Sequence, residues 1–285
     1  MDKIIFGDNQ FFGVNHMSEQ TAIKQAQKFR TAEDIYKTLE YVNDIGIKSF
    51  MFTTHNQLEP VLEKMKNNPK FDDFKLYPCM PYAHKYADAM VELGAFEAIS
   101  KFTPGNKFMS GLKGAGSLIS ANPVPIMQLL IDSEMKLLKG MNIHGMLLQN
   151  IVTDLLLGFE MYDILYEFVQ YAEKKYNVKA GFFTMNHTKL YDVLVNKLGL
   201  ENPIIVSDIN KIGFRMNPSQ NEVEKVLKNN DSYNIAMSFL ASGAIRPKEA
   251  VEYISSLEGG VQSVLFGAST PSHIKETKEL LEAVL

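Results

Sequence analysis

Histidine, carboxylate and amide side chains recur directly after short apolar runs of this chain. Five of the six histidines lie at such places, and His144 alone lies at the start of a run. Histidine transfers protons near neutral pH because its unperturbed pKa is roughly 6.5. Polar residues of loops also act as caps or turn formers, and this interpretation stays open for each of them. Together they predict one polar rim, with these candidates for substrate binding: Asn9, His84, Gln149, Asn186, Asp208 and Asn210.

The apolar runs that carry this rim alternate with stretches of helical periodicity. We predict eight strands, at residues 3–6, 47–52, 75–80, 143–148, 178–183, 204–206, 234–237 and 261–266. Helices are predicted from the N-cap Thr31 to Gly46, over residues 60–66, 85–102, 125–139, 159–176, 190–198 and 218–227, and from Pro247 and Pro271. Eight such units with near-continuous apolar strands predict an α/β protein with a (β/α)₈ TIM-barrel fold. Active sites of this fold lie at the C-terminal ends of the strands.

The alternation is interrupted after the third strand. Residues 82–122 are predicted to be an insertion in a single domain that spans residues 1–285, and the stretch 103–122 is rich in glycine. Segments this long in compact domains are usually functional or disordered. We therefore predict that residues 103–122 form a lid over the C-terminal ends of the strands.

The last strand and helix enclose a turn suited to anions. The segment VQSVLFGASTPSHIKETKELLE passes from a strand through GAST into a helix. Backbone N–H groups and the positive end of the helix converge at such a turn. The seventh unit has a similar glycine-containing turn, so the two are predicted to form one phosphate site. Its predicted residues are Gly243, Arg246, Gly267, Ser269, Thr270 and His273.

Composition narrows the classes of function. A net charge of −4 and a pI near 5.9 argue against nucleic-acid binding, which usually needs a basic surface. Cys79 is the only cysteine, so a reducing compartment is expected. The first residues show no signal-peptide pattern, and no apolar stretch reaches the roughly 18 residues of a membrane span. We expect a cytoplasmic protein that acts on a small-molecule substrate without a membrane partner; no oligomeric state is predicted.

A metal site stays open at this point, although no residue is assigned to one. The chain has no HExxH motif and no His-x-His on its first strand. Side chains that strand ends could bring together as zinc or iron ligands are His16, His55, His84, His187 and either Asp8 or Asp208.

Three segments of the C-terminal half resemble the aldo/keto reductases. They are IDSEMKLLKGMNIHGMLLQN, NVKAGFFTMNHTKLYDVLVNKLG and ASGAIRPKEAVEYISSLEGGVQSVLFGASTPSHIKETKELL. The resemblance covers residues 125–285 well and the first two βα units loosely. It implies a barrel that binds NADP or NAD, with the adenosine phosphate held by Gly267, Ser269, Thr270 and His273.

The same resemblance shows that the family's catalytic Asp, Tyr, Lys and His are not kept. The corresponding positions carry Thr53 or Phe52, the stretch His55–Gln57, the pair Cys79–Met80 and Gln149. The family's Tyr donates a proton with the help of its Asp and Lys partners, so the standard mechanism is lost. A replacement acid is needed at the rim, and we predict His55, oriented by Asp8, as the catalytic pair.

Two classes of function therefore remain. One is a diverged reductase-like oxidoreductase that binds NADP, NAD or another phosphorylated small molecule. The other is a non-redox barrel, either a metal-assisted lyase or hydrolase or a binding protein without catalytic activity.

Overall fold

Eight parallel strands close into a barrel in a computed structural model that describes residues 1–15, 17–82 and 123–285. The strands are β1 (Ile4–Phe6), β2 (Ser49–Thr53), β3 (Lys75–Met80), β4 (Gly145–Leu148), β5 (Lys179–Thr184), β6 (Ile204–Asp208), β7 (Tyr233–Met237) and β8 (Ser263–Phe266). Each strand pairs with its neighbours in chain order, and β8 returns to β1 with Ile4 opposite Val264. The (β/α)₈ fold predicted from the sequence is confirmed.

Helices pack around this barrel. Within the described residues they are α1 (Glu19–Lys28), α2 (Ala32–Asp44), α3 (Glu59–Lys66), α4 (Val124–Met135), α5 (Asn150–Gly158), α6 (Tyr162–Tyr176), α7 (His187–Tyr191), α8 (Gln220–Leu227), α9 (Pro247–Ser256) and α10 (Pro271–Glu282). The predicted helix starts at Pro247 and Pro271 are confirmed. Thr31 caps α2 as predicted: its hydroxyl accepts from the Asp34 N–H at 3.2 Å, and the Asp34 carboxylate accepts from the Thr31 N–H at 3.0 Å.

Side chains of each strand alternate between the barrel interior and the helical layer. The interior is filled by Ile5, Met51, Tyr77, Cys79, Leu147, Ile204, Val206 and Ile235. Intervening residues such as Phe52 and Phe182 pack among the helices instead. Because the period of a strand is two residues, Thr53, Gln149 and Asp208 continue the inward rows toward the C-terminal opening, which we call the barrel mouth.

Polar contacts close the opposite, N-terminal end of the barrel. Ser49 Oγ donates to Asp2 Oδ2 at 2.6 Å, and Lys75 Nζ donates to Asp2 Oδ1 at 2.6 Å. Ser263 Oγ donates to the Asp2 carbonyl at 2.7 Å and lies 2.8 Å from the Tyr233 hydroxyl. The polar groups of this end therefore satisfy one another and need no ligand.

Two helices differ from the sequence prediction. No helix is predicted before Thr31, yet the structure has α1 there. No helix is predicted between the fourth strand and residue 159, yet the structure has α5 in this apolar stretch. No residue of α1 is buried, so this helix lacks the apolar stripe that would reveal it. Its sequence signal is the N-cap Ser18, whose hydroxyl accepts from the Thr21 N–H at 3.2 Å.

Several expectations lie outside the described residues. They are the helix over residues 85–102, the insertion beyond Tyr82, the lid over residues 103–122, and the positions of His16 and His84. No helix in the described part of the chain is long and apolar enough to cross a lipid bilayer.

Gly181 of β5 tests the packing of the barrel interior. A Cβ atom at this position would lie 2.9 Å from Ile204 Cγ2 and 3.3 Å from Leu147 Cγ. We expect Gly181→Ala to lower the free energy of unfolding by about 1–3 kcal/mol, because the neighbouring strands must shift. The control is Gly158→Ala, whose Cβ would meet nothing within 4 Å and which should be neutral or stabilising. Chemical denaturation measures both variants, and an unchanged stability of Gly181→Ala would contradict this packing.

Candidate functional site

Asp8, directly after β1, is a buried carboxyl at the barrel mouth. Its Oδ2 atom accepts two hydrogen bonds from Thr53, one from the backbone N–H at 2.7 Å and one from Oγ1 at 2.5 Å. Burial raises the pKa of Asp8 from 3.8 to about 6, and the Thr53 hydrogen bonds lower it by a smaller amount. Asp8 therefore exchanges a proton near neutral pH, as a general acid or base must.

A second buried carboxyl, Glu134 of α4, holds the ends of β2 and β3. It accepts a hydrogen bond from the Thr54 hydroxyl and, through Oε1 at 3.0 Å, one from the Tyr82 backbone N–H. The pattern of polar residues after strands does not include Glu134, because this residue lies on a helix. One signal was present: Glu134 shares a helical face with the buried Met127 and Ile131, and an acid on an apolar stripe needs a partner.

His55 lies in the same corner of the mouth, but different groups hold its ring. Its Nδ1 atom accepts from the Gln57 backbone N–H at 3.1 Å, so a neutral ring carries its proton on Nε2. The ring stacks on Phe12 with centroids 4.3 Å apart and contacts Tyr82 at 5.4 Å. Among the described residues, the Asp8 carboxyl accepts from Thr53, and the expected orienting of the imidazole by Asp8 stays a prediction.

Asp208, the last residue of β6, lies three strands from β1 around the barrel. It is 3% exposed, and neither carboxylate oxygen has a hydrogen-bond partner within the described residues. Arg215, in the loop after β6, places its Nε atom 3.9 Å from Oδ2. Burial raises the pKa of Asp208 to about 6, and the nearby Ser238 hydroxyl and the Arg215 charge lower it by less. Arg215 was missed from the sequence because it lies in a loop without a recognisable motif.

Two predicted substrate ligands use their amides within their own turns. Asn186 caps α7 by accepting from the Lys189 N–H at 3.3 Å. Asn210 donates to the Phe214 carbonyl at 2.8 Å and accepts from the Phe214 N–H at 2.8 Å. For these two side chains the structure favours the role of cap or turn former that the sequence left open.

The remaining rim residues are dispersed. Asn9 is exposed at the start of a short 3₁₀ helix, and Gln149 is buried just before α5. His187 is buried with Nδ1 2.8 Å from Ser207 Oγ, and burial lowers its pKa to about 4. Because Ser207 alternates with the inward-facing Asp208, His187 faces the helical layer and stays neutral.

The turn between β8 and α10 contacts α1, the helix that the sequence did not predict. Gln25 Nε2 donates to Ser269 Oγ at 3.2 Å, and Lys28 Nζ donates to the Ser269 carbonyl. Thr270 Oγ1 accepts from the His273 N–H at 3.3 Å and caps α10. An ammonium group, a serine hydroxyl and a helix N-terminus therefore lie together at this turn, which we call the β8–α10 turn.

The other residues predicted for a phosphate site lie at the same end of the barrel. A Cβ atom at Gly267 would fall 1.9 Å from Gln10 Oε1, so a larger residue there would displace the end of the Gln10 side chain. Gly243 has φ of +95°, and the exposed Arg246 precedes α9. Since β7 pairs in parallel with β8, the turn that carries Gly243 and Arg246 lies beside the β8–α10 turn.

Metal and thiol chemistry find little support in the described ranges. No three His, Cys, Asp or Glu side chains there lie close enough to hold a metal ion. Burial, with the charges of Asp8 and Glu134, raises the pKa of Cys79 well above its usual value. Cys79 therefore stays a neutral thiol.

Comparison with known proteins identifies relatives in fold. No family model matches the chain, and no curated protein matches its sequence. A Pseudomonas aeruginosa protein assigned to the aldo-keto reductases superposes with a TM-score of 0.58 at 11% identity, covering 99% of this chain and 91% of that one. The thermostable aldo-keto reductase Tm1743, solved with the inhibitor epalrestat, gives 0.55 at 12% identity, with 99% and 90% covered. The barrel of this chain therefore has the fold of these aldo-keto reductases.

The raised pKa of Asp8 predicts a pH-dependent contribution to stability. A carboxyl whose pKa is higher in the folded state stabilises the fold below its unfolded pKa, and this stability is lost as pH rises through the folded pKa. With 3.8 unfolded and about 6 folded, the loss between pH 4 and pH 8 is about 2–3 kcal/mol. The free energy of unfolding of Asp8→Asn, relative to the wild type, should therefore rise by this amount over the same range.

Asp34 provides a control of opposite sign. Hydrogen bonds from Thr31 lower its pKa, so its contribution to stability is present at neutral pH and is lost as pH falls. Urea denaturation at a series of pH values measures the free energy of unfolding of Asp8→Asn and of the control variant Asp34→Asn. A difference between Asp8→Asn and the wild type that does not change with pH would contradict the raised pKa of Asp8.

Proposed function

We propose that this chain is an oxidoreductase-like barrel enzyme that binds NADP or NAD at the β8–α10 turn and transfers a proton through Asp8. The observation that carries the proposal is the buried Asp8 carboxyl at the barrel mouth, with a pKa of about 6. Active sites of this fold lie at that end, and perturbed carboxyls concentrate at functional sites. The fold shared with aldo-keto reductases supports the choice of a nicotinamide cofactor.

The residues of the β8–α10 turn fit a nucleotide phosphate. Lys28 supplies a positive charge beside Ser269, and the first turn of α10 adds the positive end of a helix. Gln25 Oε1 is buried without a partner in the described part of the chain, and a ribose hydroxyl is a donor that would satisfy it. Arg246, beyond the neighbouring β7, adds a second cation at this end. A nicotinamide bound here would supply the hydride.

Asp8 acts as the acid or base of the reaction. At pH 7 a carboxyl with a pKa of about 6 is protonated in about one molecule in ten, which permits transfer in either direction. The two Thr53 bonds hold the carboxyl in one orientation. The Gln57 N–H donates to His55 Nδ1 and so fixes the position of the imidazole at the mouth.

Removal of Lys28 tests the cofactor half of the proposal. We expect Lys28→Ala to weaken NADPH or NADH binding about 3- to 10-fold, because one charge-assisted contact to phosphate is lost. The control is Lys24→Ala, an exposed lysine of the same helix, which should bind the nucleotide as the wild type does. Isothermal titration measures the affinities. Failure of the wild type to bind either nucleotide would refute this half.

Substitution of Asp8 and Thr53 tests the catalytic half. The family's tetrad is absent, so ordinary aldehydes should not be reduced with NADPH at rates usual for aldo-keto reductases. With a substrate in hand, Asp8→Asn should lower kcat about 100-fold or more. Thr53→Val removes a hydrogen bond that lowers the Asp8 pKa, so the pH at which kcat changes should move upward. Full activity of a folded Asp8→Asn, or an unmoved profile in Thr53→Val, would refute the assignment.

A further inference from the structure

The Asp208 carboxylate differs in its surroundings from the half-buried carboxyl of Asp154. Asp154 of α5 accepts from Thr184 Oγ1 at 2.6 Å and from the Met185 N–H at 2.9 Å, so both its oxygens are satisfied. Asp208 is more buried, yet no described group lies within hydrogen-bonding distance of either oxygen, and the Ser238 hydroxyl that lowers its pKa interacts from beyond that distance. A buried carboxylate without a partner is costly, so an unsatisfied one facing a cavity or opening indicates a missing donor.

The direction of Asp208 places that missing donor at the barrel mouth. Val206 of the same strand lies in the barrel interior, and Asp208 follows it by two residues. Its partner in the strand pairing is Met237, which also packs against the interior cluster. The unsatisfied oxygens therefore point into the space where substrates of this fold bind.

Arg215 is close to this carboxylate without being bound to it. The distance of 3.9 Å between Arg215 Nε and Asp208 Oδ2 exceeds that of a hydrogen bond. Among the described residues, a second guanidinium nitrogen, Nη2, donates to the weak acceptor Met185 Sδ at 3.5 Å. About a third of the Arg215 side chain is exposed, at 32%. Arg215 therefore presents a charged, planar donor group beside an unsatisfied acceptor.

We propose that Asp208 and Arg215 form a two-point substrate clamp for a small carboxylic acid that carries a hydroxyl or amino group on the adjacent carbon. The donor group of such a ligand satisfies Asp208, and its carboxylate takes the guanidinium in a bidentate arrangement. The ligand needs both its carboxylate and its donor group, because Asp208 would repel a carboxylate that brought no donor. One guanidinium beside one aspartate also balances a monoanion better than a phosphate dianion. The proposal rests on the proposed function only in taking the barrel mouth as the substrate site.

The first test measures binding to the full chain without any nucleotide. Lactate and alanine carry both groups, propionate lacks the donor, and 1-propanol lacks the anion. We expect lactate or alanine at millimolar concentrations to raise the melting temperature and to bind at least about tenfold more tightly than propionate. The comparison of lactate with alanine decides between the hydroxyl and the amino ligand. If neither binds more tightly than propionate and 1-propanol, the clamp is refuted.

Two variants then assign the contacts. Asp208→Asn should reduce the preference for lactate or alanine over propionate to about twofold or less, and Arg215→Gln should weaken all three acids about tenfold. Asp154→Asn is the control, because this carboxyl faces the helical layer through Thr184 and should leave the preference unchanged. A preference that survives in Asp208→Asn would refute the role of Asp208.

Stability separates a ligand site from a purely structural role. Replacement of an unsatisfied buried charge by an amide should raise the melting temperature of Asp208→Asn, whereas Asp154→Asn loses satisfied bonds and should melt lower. A lower melting temperature of Asp208→Asn, with probe binding unchanged, would mean that an ordered water alone satisfies the carboxylate.

The clamp and the proposed cofactor fail separately. Binding of the acids without binding of NADP or NAD would refute only the proposed cofactor. Binding of NADP or NAD without binding of the acids would refute only the clamp.

Discussion

Closure of eight parallel strands into a barrel is the constraint on which the rest of this structure depends. Once β8 pairs with β1, every second side chain of each strand must enter an interior that holds only a few side-chain layers. Small residues placed beside large ones let the side chains fit into this interior: Gly145 lies against Tyr77, and Gly181 lies against Ile204. The same alternation carries Thr53, Gln149 and Asp208 to the mouth. Packing of the interior and placement of the candidate site are therefore two results of one geometry.

Carboxyls at the two ends of the barrel have opposite surroundings. At the N-terminal end burial would raise the pKa of Asp2, but hydrogen bonds from Lys75 and Ser49 lower it overall. At the mouth, Asp8 is held by uncharged groups, and the cation nearest Asp208 stands 3.9 Å away, so burial prevails and both pKa values rise to about 6. The fold satisfies its structural carboxyl and leaves two others in costly surroundings, which is expected where side chains serve function.

The likeness to aldo-keto reductases that the comparisons show is one of fold. At 11–12% identity the barrels superpose over nearly the whole of this chain, and the resemblance in sequence implies other residues at the strand ends that carry the family's tetrad. A barrel tolerates such exchange because its strands set the positions of the ends, whereas the chemistry depends on which side chains follow them. Here Thr53 binds Asp8 from the neighbouring strand, and Cys79 remains an apolar filler. The chemistry of this barrel therefore depends on the residues that follow its own strands.

The sequence by itself determined the barrel and the end at which polar residues gather. Near-continuous apolar runs identified the eight strands, and the Thr31 cap and the prolines at 247 and 271 marked helix starts, because these signals are local. Contacts between distant residues were decided by the tertiary structure. The sequence did not reveal that Lys28 reaches Ser269 or that Glu134 holds Thr54. It also did not reveal that no described residue hydrogen-bonds Asp208 while Asn210 bonds within its own turn. Whether a polar side chain binds its own loop, a distant strand or no partner depends on distances that only the closed barrel sets.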